Sequence, residues 1–502
     1  MTDTAAPPVF DPSWVRSDPY PQVIAGLEVG DGMRMPLVNP GTGEQVGSWL
    51  EATDDEVDRA LAAARTSFDD GVWRRRPPAR RAEVLERVAH AIRDRVPELI
   101  GLDCVSTGKV FLGGIGYDGY EAYNAFMGAA ATIREAAGEV REAAFPPGLF
   151  PGDGPRILSI RNREPVGVVA ELLPWNAPLY TGSERIAGAL AAGCSVVAKP
   201  SEESPASFVE LAAIMREAGL PDGVFNVVLG RGETVGDRLI RDPRVDLVSV
   251  TGSVETGTRV YEIAASNMKR VNLELGGKAP VVVFADADLD AVATWAMLAA
   301  FNNMGEVCVA GTRLLVEASA YDDVVAAVAG AASGLPIGDQ FDAQTFIGPL
   351  VNAEHADRVR GFVERAISDG GATLVGGGTV PDGLNGAFVA PTVLGDLGAG
   401  AEIEQNEVFG PVIAAQRFET EDEALARANS TQYGLSASVF TGNIERAFRF
   451  ADRLVAGNVQ INHHYSADSH IPRGTPRRKS GTGLAGVGAY QAPKSIDVNL
   501  GF

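Results

Sequence analysis

The sequence predicts an α/β fold built on parallel sheets, with a small additional β element. Three observations predict it. From residue 166 onward, short apolar segments of strand length alternate with helical stretches. Several of those segments, such as VGVVAELL at 166–173 and SVVA at 195–198, are nearly continuous apolar runs, as in strands covered on both faces. Gly-rich turns follow two of the strands, and one of them opens a helix.

Taken in order, residues 1 to about 50 are rich in Pro and turns, with β-like pieces around Leu37 and Trp49. From Asp54 the pattern is helical. Val57, Leu61 and Ala64 share a face, and a second run after Pro77-Pro78 aligns Leu85, Val88 and Ile92. Helical signal continues past Tyr123 to about Glu142. Residues 143–165 carry Pro146, Pro147, Pro151 and Pro155 and then a β-like stretch at 157–160, an excursion from one domain. Strands follow at VGVVAELLP (166–174), SVVAKP (195–200), FNVVLG (225–230) and LVSVTGS (247–253), with helices at 181–192, 205–218 and 254–265. A second α/β set begins at 279–283 and runs to about Asn462, and the Gly- and Arg-rich tail ends in a β-like SIDVNL. Arg74-Arg75-Arg76 reads as a solvated helix start or a subunit contact.

Composition narrows the function. The chain has 502 residues, 45% hydrophobic and 22% charged, enough apolar mass for large cores. Its net charge of −22 argues against nucleic acid or an anionic membrane surface as partner. No apolar run is long enough to span a bilayer, and the N-terminus lacks the basic start and apolar stretch of a signal peptide. Three cysteines, Cys104, Cys194 and Cys308, read as reduced thiols in a cytoplasmic protein.

A nucleotide site belongs beyond the carboxyl ends of parallel strands. Two Gly-rich turns compete for it. One contains Gly230, Gly232 and Gly236 and is equally well a structural turn. The other, Gly252 to Gly257, opens a helix whose free N–H groups suit a pyrophosphate, although Ser253 can equally be a plain helix cap. Lys199 and Glu202, just past a strand, can hold the two hydroxyls of a ribose, or belong to an exposed loop. Cys308 lies between glycines, where a thiol can approach a ligand. Cys104 and Cys194 look packed. Glu274 follows an apolar strand and precedes a flexible turn, and Asn176 stands at a strand's carboxyl end, where its amide can donate to an oxyanion. Thiol, carboxylate and amide beside a dinucleotide-type sheet suggest thiolate attack on an aldehyde, hydride transfer to a nicotinamide, and hydrolysis of the thioester by an activated water.

At this point the chain resembles the NAD(P)-dependent aldehyde dehydrogenase superfamily over nearly its whole length. The resemblance rests on NPGTGE (39–44), PWNAP (174–178), KPSE (199–202), VTGSVETG (250–257), ELGGK (274–278), GEVCVAGTR (305–313), EVFGPV (407–412) and NSTQYGLSASVFT (429–441), in the family's order. It implies Cys308 as nucleophile, Glu274 as general base and Asn176 in the oxyanion hole. It implies Lys199 and Glu202 on the adenosine ribose, Gly232 at the adenine end, Ser253 at the pyrophosphate, Glu407 on the nicotinamide ribose and Phe409 near the nicotinamide. Trp175, Ser201, Gly252, Leu275 and His355 complete the expected cofactor contacts. NAD is expected over NADP, because the Glu202 carboxylate repels a 2′-phosphate.

The resemblance also implies a cofactor domain of 1–142 and 166–275, a catalytic domain of 276–472, and a bridging element of 143–165 and 473–502 that makes a homodimer or homotetramer. A CoA-acylating enzyme is the alternative within the fold, and Glu274 argues for hydrolysis instead. A non-catalytic member of the fold is the other alternative, against which stand both Cys308 and Glu274.

Four departures stand out. Ala177 replaces the usual Phe and leaves more room. Glu306 replaces the usual Gln, and an ionised carboxylate there would raise the thiol pKa. The usual PFGGxKxSG is replaced by residues 472–481, one residue longer, and Leu484-Ala485 replaces an Arg-Glu pair. The arginines of this segment either pair with a neighbouring subunit or, through Arg473, face the substrate. His463, His464 and His470 read as a polar loop near the substrate entrance, and no metal is expected.

Overall fold

A computed structural model describes residues 7–138, 143–144, 157–369, 371–398, 400–465, 474–483 and 486–500. The expectations for Arg473 and His470 and for Leu484-Ala485 fall outside those residues.

Two antiparallel pairs come first, β1 (Gln22–Ile24) with β2 (Leu27–Val29) and β3 (Arg34–Val38) with β4 (Gln45–Leu50). The helix Asp54–Asp70 starts at a capping box. Thr53 Oγ1 accepts from the Glu56 N–H, and the Glu56 carboxylate accepts from the Thr53 N–H at 2.7 Å. Val57, Leu61 and Ala64 are buried on its one apolar face. Arg74, Arg75 and Arg76 do not start a helix. They follow this one, and their guanidiniums bond the carbonyls of Phe68, Asp69 and Asp70 in its last turn and of Val72 just beyond it. The helical signal past Tyr123 is the helix Tyr120–Gly138, and the rest of the expected run, to Glu142, falls outside the described residues.

A small sheet joins distant parts of the chain. β5 (Ala143–Ala144) pairs with β6 (Ile157–Pro165), which pairs along its whole length with the C-terminal strand (Gln491–Asn499).

The first large sheet carries β7 (Val168–Leu172), β8 (Ser195–Lys199), β9 (Phe225–Val227), β10 (Leu247–Thr251) and β11 (Arg270–Glu274), all parallel. Its order is β11-β10-β7-β8-β9-β1-β2. The chain winds outward from β7 through β8 to β9, then returns to the other side of β7 with β10. The strand order therefore reverses between β7 and β10, and a crevice opens there outside the carboxyl ends. Loops 173–177 and 252–253 leave the sheet at that point.

The second large sheet carries β12 (Pro280–Val283), β13 (Arg313–Glu317), β14 (Thr373–Gly377), β15 (Thr392–Gly395), β16 (Val412–Phe418), β17 (Ser436–Phe440) and β18 (Asn458–Ile461). Its order is β14-β15-β16-β13-β12-β17-β18, parallel except for β14. β12 and β17 are buried at every position, as strands covered on both faces must be. The fold is thus mixed α/β with two parallel-rich sheets and a small β sheet, as the alternation of elements predicts. The final strand is β19 (Gln491–Asn499).

Candidate active site

The carboxyl edge of the first sheet and the amino edge of the second enclose two cavities. The larger is a cleft of about 730 Å³ that runs from Lys199, Glu202 and Gly232, past Ser253, to Cys308, Glu407 and Phe409. All fourteen residues proposed from the sequence line it, including Trp175, Asn176, Ser201, Gly252, Glu274, Leu275 and His355. The smaller, about 160 Å³, is walled by Tyr117, Tyr180, Gln460 and Tyr465. Asn176, Thr181, Thr251, Glu274, Leu275 and Cys308 line both. The thiol, the carboxylate and the amide therefore stand where the two chambers meet.

Local backbone puts them there. The loop ahead of Cys308 places three successive residues in the left-handed region, Asn303 (φ 48°), Met304 (φ 55°) and Gly305 (φ 72°). Such a run costs of order 1–3 kcal/mol per non-Gly residue and persists only where packing enforces it. Met304 is fully buried, and Asn303 Nδ2 donates to the Asn176 carbonyl at 3.0 Å, which ties this loop to the one after β7. Asn176 Nδ2 in turn donates to the Glu306 carbonyl at 2.9 Å. That uses one of its two N–H bonds and leaves the other for a ligand.

The glycines of ELGGK are there for close approach. A Cβ on Gly277 would lie 2.3 Å from the Cys308 carbonyl oxygen, and one on Gly276 would lie 2.0 Å from Glu407 Oε2. Gly277 N–H donates to Glu407 Oε1 at 2.9 Å. One turn of backbone thus touches the Cys308 loop and a carboxylate of the cleft. Ser480 fastens the same turn, giving its hydroxyl to the Gly276 carbonyl at 2.8 Å.

Electrostatics follow from burial. The Cys308 thiol is pushed up to about 12, first by burial and then by the carboxylates of Glu407 and Glu274. Burial raises Glu274 above the ordinary carboxylate range, against the pull of Arg185, whose Nη2 lies 3.4 Å from Glu274 Oε1. Burial lifts Glu407 to about 7, with Gly277, Lys278 and Arg358 opposing. Glu306 is different from its sequence expectation. Its carboxyl is buried, accepts from the Val351 N–H at 3.0 Å and faces His355 Nε2 at 3.7 Å. Burial pushes it well above the ordinary range, and the carboxylates acting on Cys308 are Glu407 and Glu274 instead.

At the far end of the cleft, Glu202 Oε1 accepts from Gly232 N–H at 2.7 Å and lies 3.3 Å from Lys199 Nζ. Ser253 caps the helix Val254–Ala265, accepting from Thr256 N–H at 3.0 Å. Near Cys308, Trp175, His355 and Phe409 meet edge to face, with ring centres 5.4–6.1 Å apart. His355 Nε2 donates to the Phe409 carbonyl at 2.7 Å. These groups suit a dinucleotide: a carboxylate and an ammonium for ribose hydroxyls, a helix N-terminus for phosphates, and an aromatic wall for a flat ring.

Other residues of the site were not found from the sequence. Arg185, Lys109 and Asp118 stand in no motif. Lys109 is ion-paired with Asp118 and donates to the Asn176 carbonyl at 3.3 Å, bracing the loop after β7 from behind. Lys278 was visible inside ELGGK, but nothing in the motif shows that its amine is buried and lacks a hydrogen bond. His464 lines the smaller chamber. Its Nε2 donates to the Val309 carbonyl at 2.9 Å, so Nδ1 accepts from the Ser438 hydroxyl at 2.6 Å. Burial lowers it to about 4, so it is neutral. Arg478, expected to pair with a neighbouring subunit or face the substrate, bonds the carbonyls of Asn429 and Thr431 of its own chain. Among the described residues, no group of three or more His, Cys, Asp or Glu is placed to hold a metal.

Residues 28–496 match the sequence profile of the aldehyde dehydrogenase family. A betaine aldehyde dehydrogenase of Bacillus subtilis (strain 168) is 38% identical over 441 residues, covering 87% of this chain and 88% of that one. Aldehyde dehydrogenase family 2 member C4 of Arabidopsis thaliana is 35% identical over 484 residues, 94% of this chain and 93% of its own. Among solved structures, an NAD-dependent aldehyde dehydrogenase from Sinorhizobium meliloti superposes with a TM-score of 0.90 at 38% identity, covering 97% and 96%. A betaine aldehyde dehydrogenase from Staphylococcus aureus, in complex with NAD+, does so with a TM-score of 0.89 at 35% identity, covering 96% and 94%.

Proposed function

The chain belongs to the aldehyde dehydrogenase family and oxidises an aldehyde with NAD, and on that premise we propose that Cys308 is the nucleophile, Glu274 the general base and Asn176 the oxyanion donor. The observation that carries the assignment is the meeting of the two chambers at these three side chains. The larger chamber is within the usual size for a bound cofactor, and the smaller would take the aldehyde.

The Cys308 thiol loses its proton to water in the cleft before its sulfur adds to the carbonyl carbon, and Glu274 is kept for the hydrolytic step. The carbonyl oxygen becomes an oxyanion, which the spare N–H of Asn176 Nδ2 stabilises. NAD, when bound, supplies the hydride acceptor. The acyl group left on Cys308 as a thioester is attacked by water, whose proton goes to Glu274, and the acid leaves as the sulfur is released.

Within the larger chamber Lys199 and Glu202 hold the adenosine ribose and Gly232 lies at its adenine end. Gly252 and Ser253 face the pyrophosphate, and Glu407 holds the nicotinamide ribose. Trp175, Leu275, His355 and Phe409 wall the nicotinamide, while Ser201 completes the ribose end. A carboxylate at Glu202 disfavours the 2′-phosphate of NADP. Tyr117, Tyr180 and Tyr465 line the smaller chamber together with the carboxyl groups of Asp118 and Glu184 and the cations Lys109 and Arg185, and betaine aldehyde heads the substrate panel because a relative of 38% identity is a betaine aldehyde dehydrogenase.

The open edge of β19, with half-exposed Ile496, Val498 and Leu500, is the natural subunit contact for a dimer or tetramer. Free thiols at Cys104, Cys194 and Cys308 suit the cytoplasm, and no helix among the described residues is long and apolar enough to cross a membrane.

The test is Cys308→Ala. It should abolish NADH formation from every aldehyde of the panel while NAD still binds. Turnover by Cys308→Ala would overturn the assignment.

A further inference from the structure

The turn that carries Glu407 and Phe409 is gripped from behind by one face of a helix, and the chemistry above leaves that grip unused. The helix Ala353–Ser368 starts where Asn352 Oδ1 accepts from the His355 N–H at 2.9 Å, which sets its phase. His355, Arg358, Val359 and Phe362 follow at helical spacings and so share a face. That face meets successive residues of the turn. Arg358 Nη2 donates to the Glu407 carbonyl at 3.0 Å and Nη1 to the Val408 carbonyl at 2.8 Å. His355 Nε2 takes the next carbonyl, that of Phe409. A Cβ on Gly410 would lie 2.7 Å from the Val359 methyls, so helix and turn are in direct contact. The Phe362 ring backs the Arg358 guanidinium, with 5.1 Å between the ring centre and its carbon.

We propose that Arg358 is a positioning residue for hydride transfer: its guanidinium, forked across the Glu407 and Val408 carbonyls, holds the turn in the form that presents Phe409 to the nicotinamide. This rests on the reading of Phe409 as part of the nicotinamide wall.

The physical argument begins with the backbone of Phe409, whose φ is 57°. A bulky residue adopts the left-handed region only where its surroundings enforce it. Peptide units are planar, so a residue's φ and ψ are the rotations between the plane before it and the plane after it. The Val408 carbonyl lies in the plane before Phe409, and the Phe409 carbonyl lies in the plane after. Arg358 fixes the first plane and His355 the second, and together they fix both rotations of Phe409. The other bonds of the turn cannot do this. Gly277 N–H reaches the Glu407 side chain, and the Tyr433 hydroxyl reaches the Glu407 N–H at 3.4 Å, ahead of the plane that matters. Without Arg358 the first plane is free to swing, and Phe409 can return to negative φ. Its ring would then leave Trp175 and His355, against which it now stands edge to face. A lysine cannot replace the fork, because one ammonium on a flexible stem does not span two carbonyls in fixed geometry.

The experiment is stopped-flow NADH formation with Arg358→Met, using an accepted aldehyde and the same aldehyde deuterated at the carbonyl carbon. The first equivalent of NADH should form about tenfold more slowly, the effect of losing a hydrogen bond to a charged group. The primary isotope effect on that step should rise, since the slowed event is transfer of the carbon-bound hydride to the nicotinamide. AMP, which probes the adenosine end of the cleft alone, should inhibit as in the wild type, and Tm should hold. Arg358→Lys should recover part of the rate. Arg360→Met, on the same helix, should behave as wild type, because the Arg360 guanidinium bonds Asp357 and the Phe388 carbonyl instead of the turn.

An unchanged first equivalent in Arg358→Met overturns the proposal. So does a loss shared equally by AMP inhibition and Tm, which would make Arg358 a general support of the fold, and so does Arg358→Lys no better than Arg358→Met. Phe409→Ala separates this from the reading beneath it. Hydride transfer at the wild-type rate in Phe409→Ala would remove Phe409 from the nicotinamide wall, whereas a slow Phe409→Ala beside a fast Arg358→Met would remove the role of Arg358 alone.

Discussion

Adding one methyl group at Gly277 tests how closely the nucleophile's loop is positioned. The Cβ of Gly277→Ala would fall 2.3 Å from the Cys308 carbonyl oxygen and 3.4 Å from Leu435 Cβ. A carbon–oxygen contact below 3.0 Å does not survive in real proteins, so the two backbones must separate by at least about 0.7 Å. The atom in the way is main chain of the nucleophile itself, so the strain cannot be absorbed by turning a side chain. It moves Cys308 relative to Asn176 and Glu274. A displacement of about 1 Å at reacting atoms costs on the order of 10²-fold in rate, because the bound geometry ceases to be a near-attack one.

Steady-state kinetics of Gly277→Ala should therefore show kcat reduced about a hundredfold with the KM for NAD little changed. Gly276→Ala is the contrasting control. Its Cβ meets the end of a side chain, Glu407 Oε2, at 2.0 Å. Glu407 can swing aside, so the loss should fall on NAD affinity. A Gly277→Ala enzyme within threefold of wild type would refute the argument that this close approach sets the position of Cys308.

The remaining predictions concern single carboxyl groups. Glu274→Gln should release about one equivalent of NADH per site in a burst and then turn over slowly, read by stopped-flow absorbance, since acylation survives and hydrolysis does not. Glu306→Gln should keep full activity, because an amide oxygen accepts from the Val351 N–H in the same place as the carboxyl oxygen, whereas Glu306→Ala should lose activity with the link to the loop at Val351. Glu407 is raised by burial from its ordinary 4.5 to about 7. The folded chain thus binds this proton more tightly than the unfolded chain, so the contribution to stability is fully present below 4.5 and is lost as pH rises to about 7. Glu407→Gln should accordingly raise Tm at pH 8 in the absence of cofactor while weakening NAD binding, seen by thermal melting and by titration. Glu202→Gln should narrow the preference for NAD over NADP in kcat/KM, as the charge that repels a 2′-phosphate is removed.

Much of the site was legible in the sequence because its residues sit at strand ends, where spacing along the chain translates into position. Asn176 follows β7, Ser253 follows β10, and Glu274 ends β11, so the parallel order of these strands alone brings their loops to one edge. Cys308 and Glu407 come from the second sheet and were legible only as motifs, since nothing in the local pattern says that the amino edge of one sheet meets the carboxyl edge of the other. Side-chain direction was the harder part. Glu306 is two residues from the nucleophile, which suggested a charge acting on the thiol, yet its carboxyl turns away to Val351 and His355. Arg185 is an ordinary member of a helix, and its link to Glu274 exists only once that helix packs on the sheet. The arginines after Asp70 looked like a solvated start because a charge run carries no sign of which end of a helix it serves, and their carbonyl partners settle it.

The central claim is that the acyl group passes through Cys308, and trapping it is the most direct test. Glu274→Gln enzyme incubated with NAD and an accepted aldehyde, quenched in acid and digested, should carry one acyl group per chain on the peptide containing Cys308. None should be found on the peptides of Cys104 or Cys194, which are fully buried. An acyl group mapped to any other residue, or NADH released in the burst with no acyl-enzyme formed, would contradict the account.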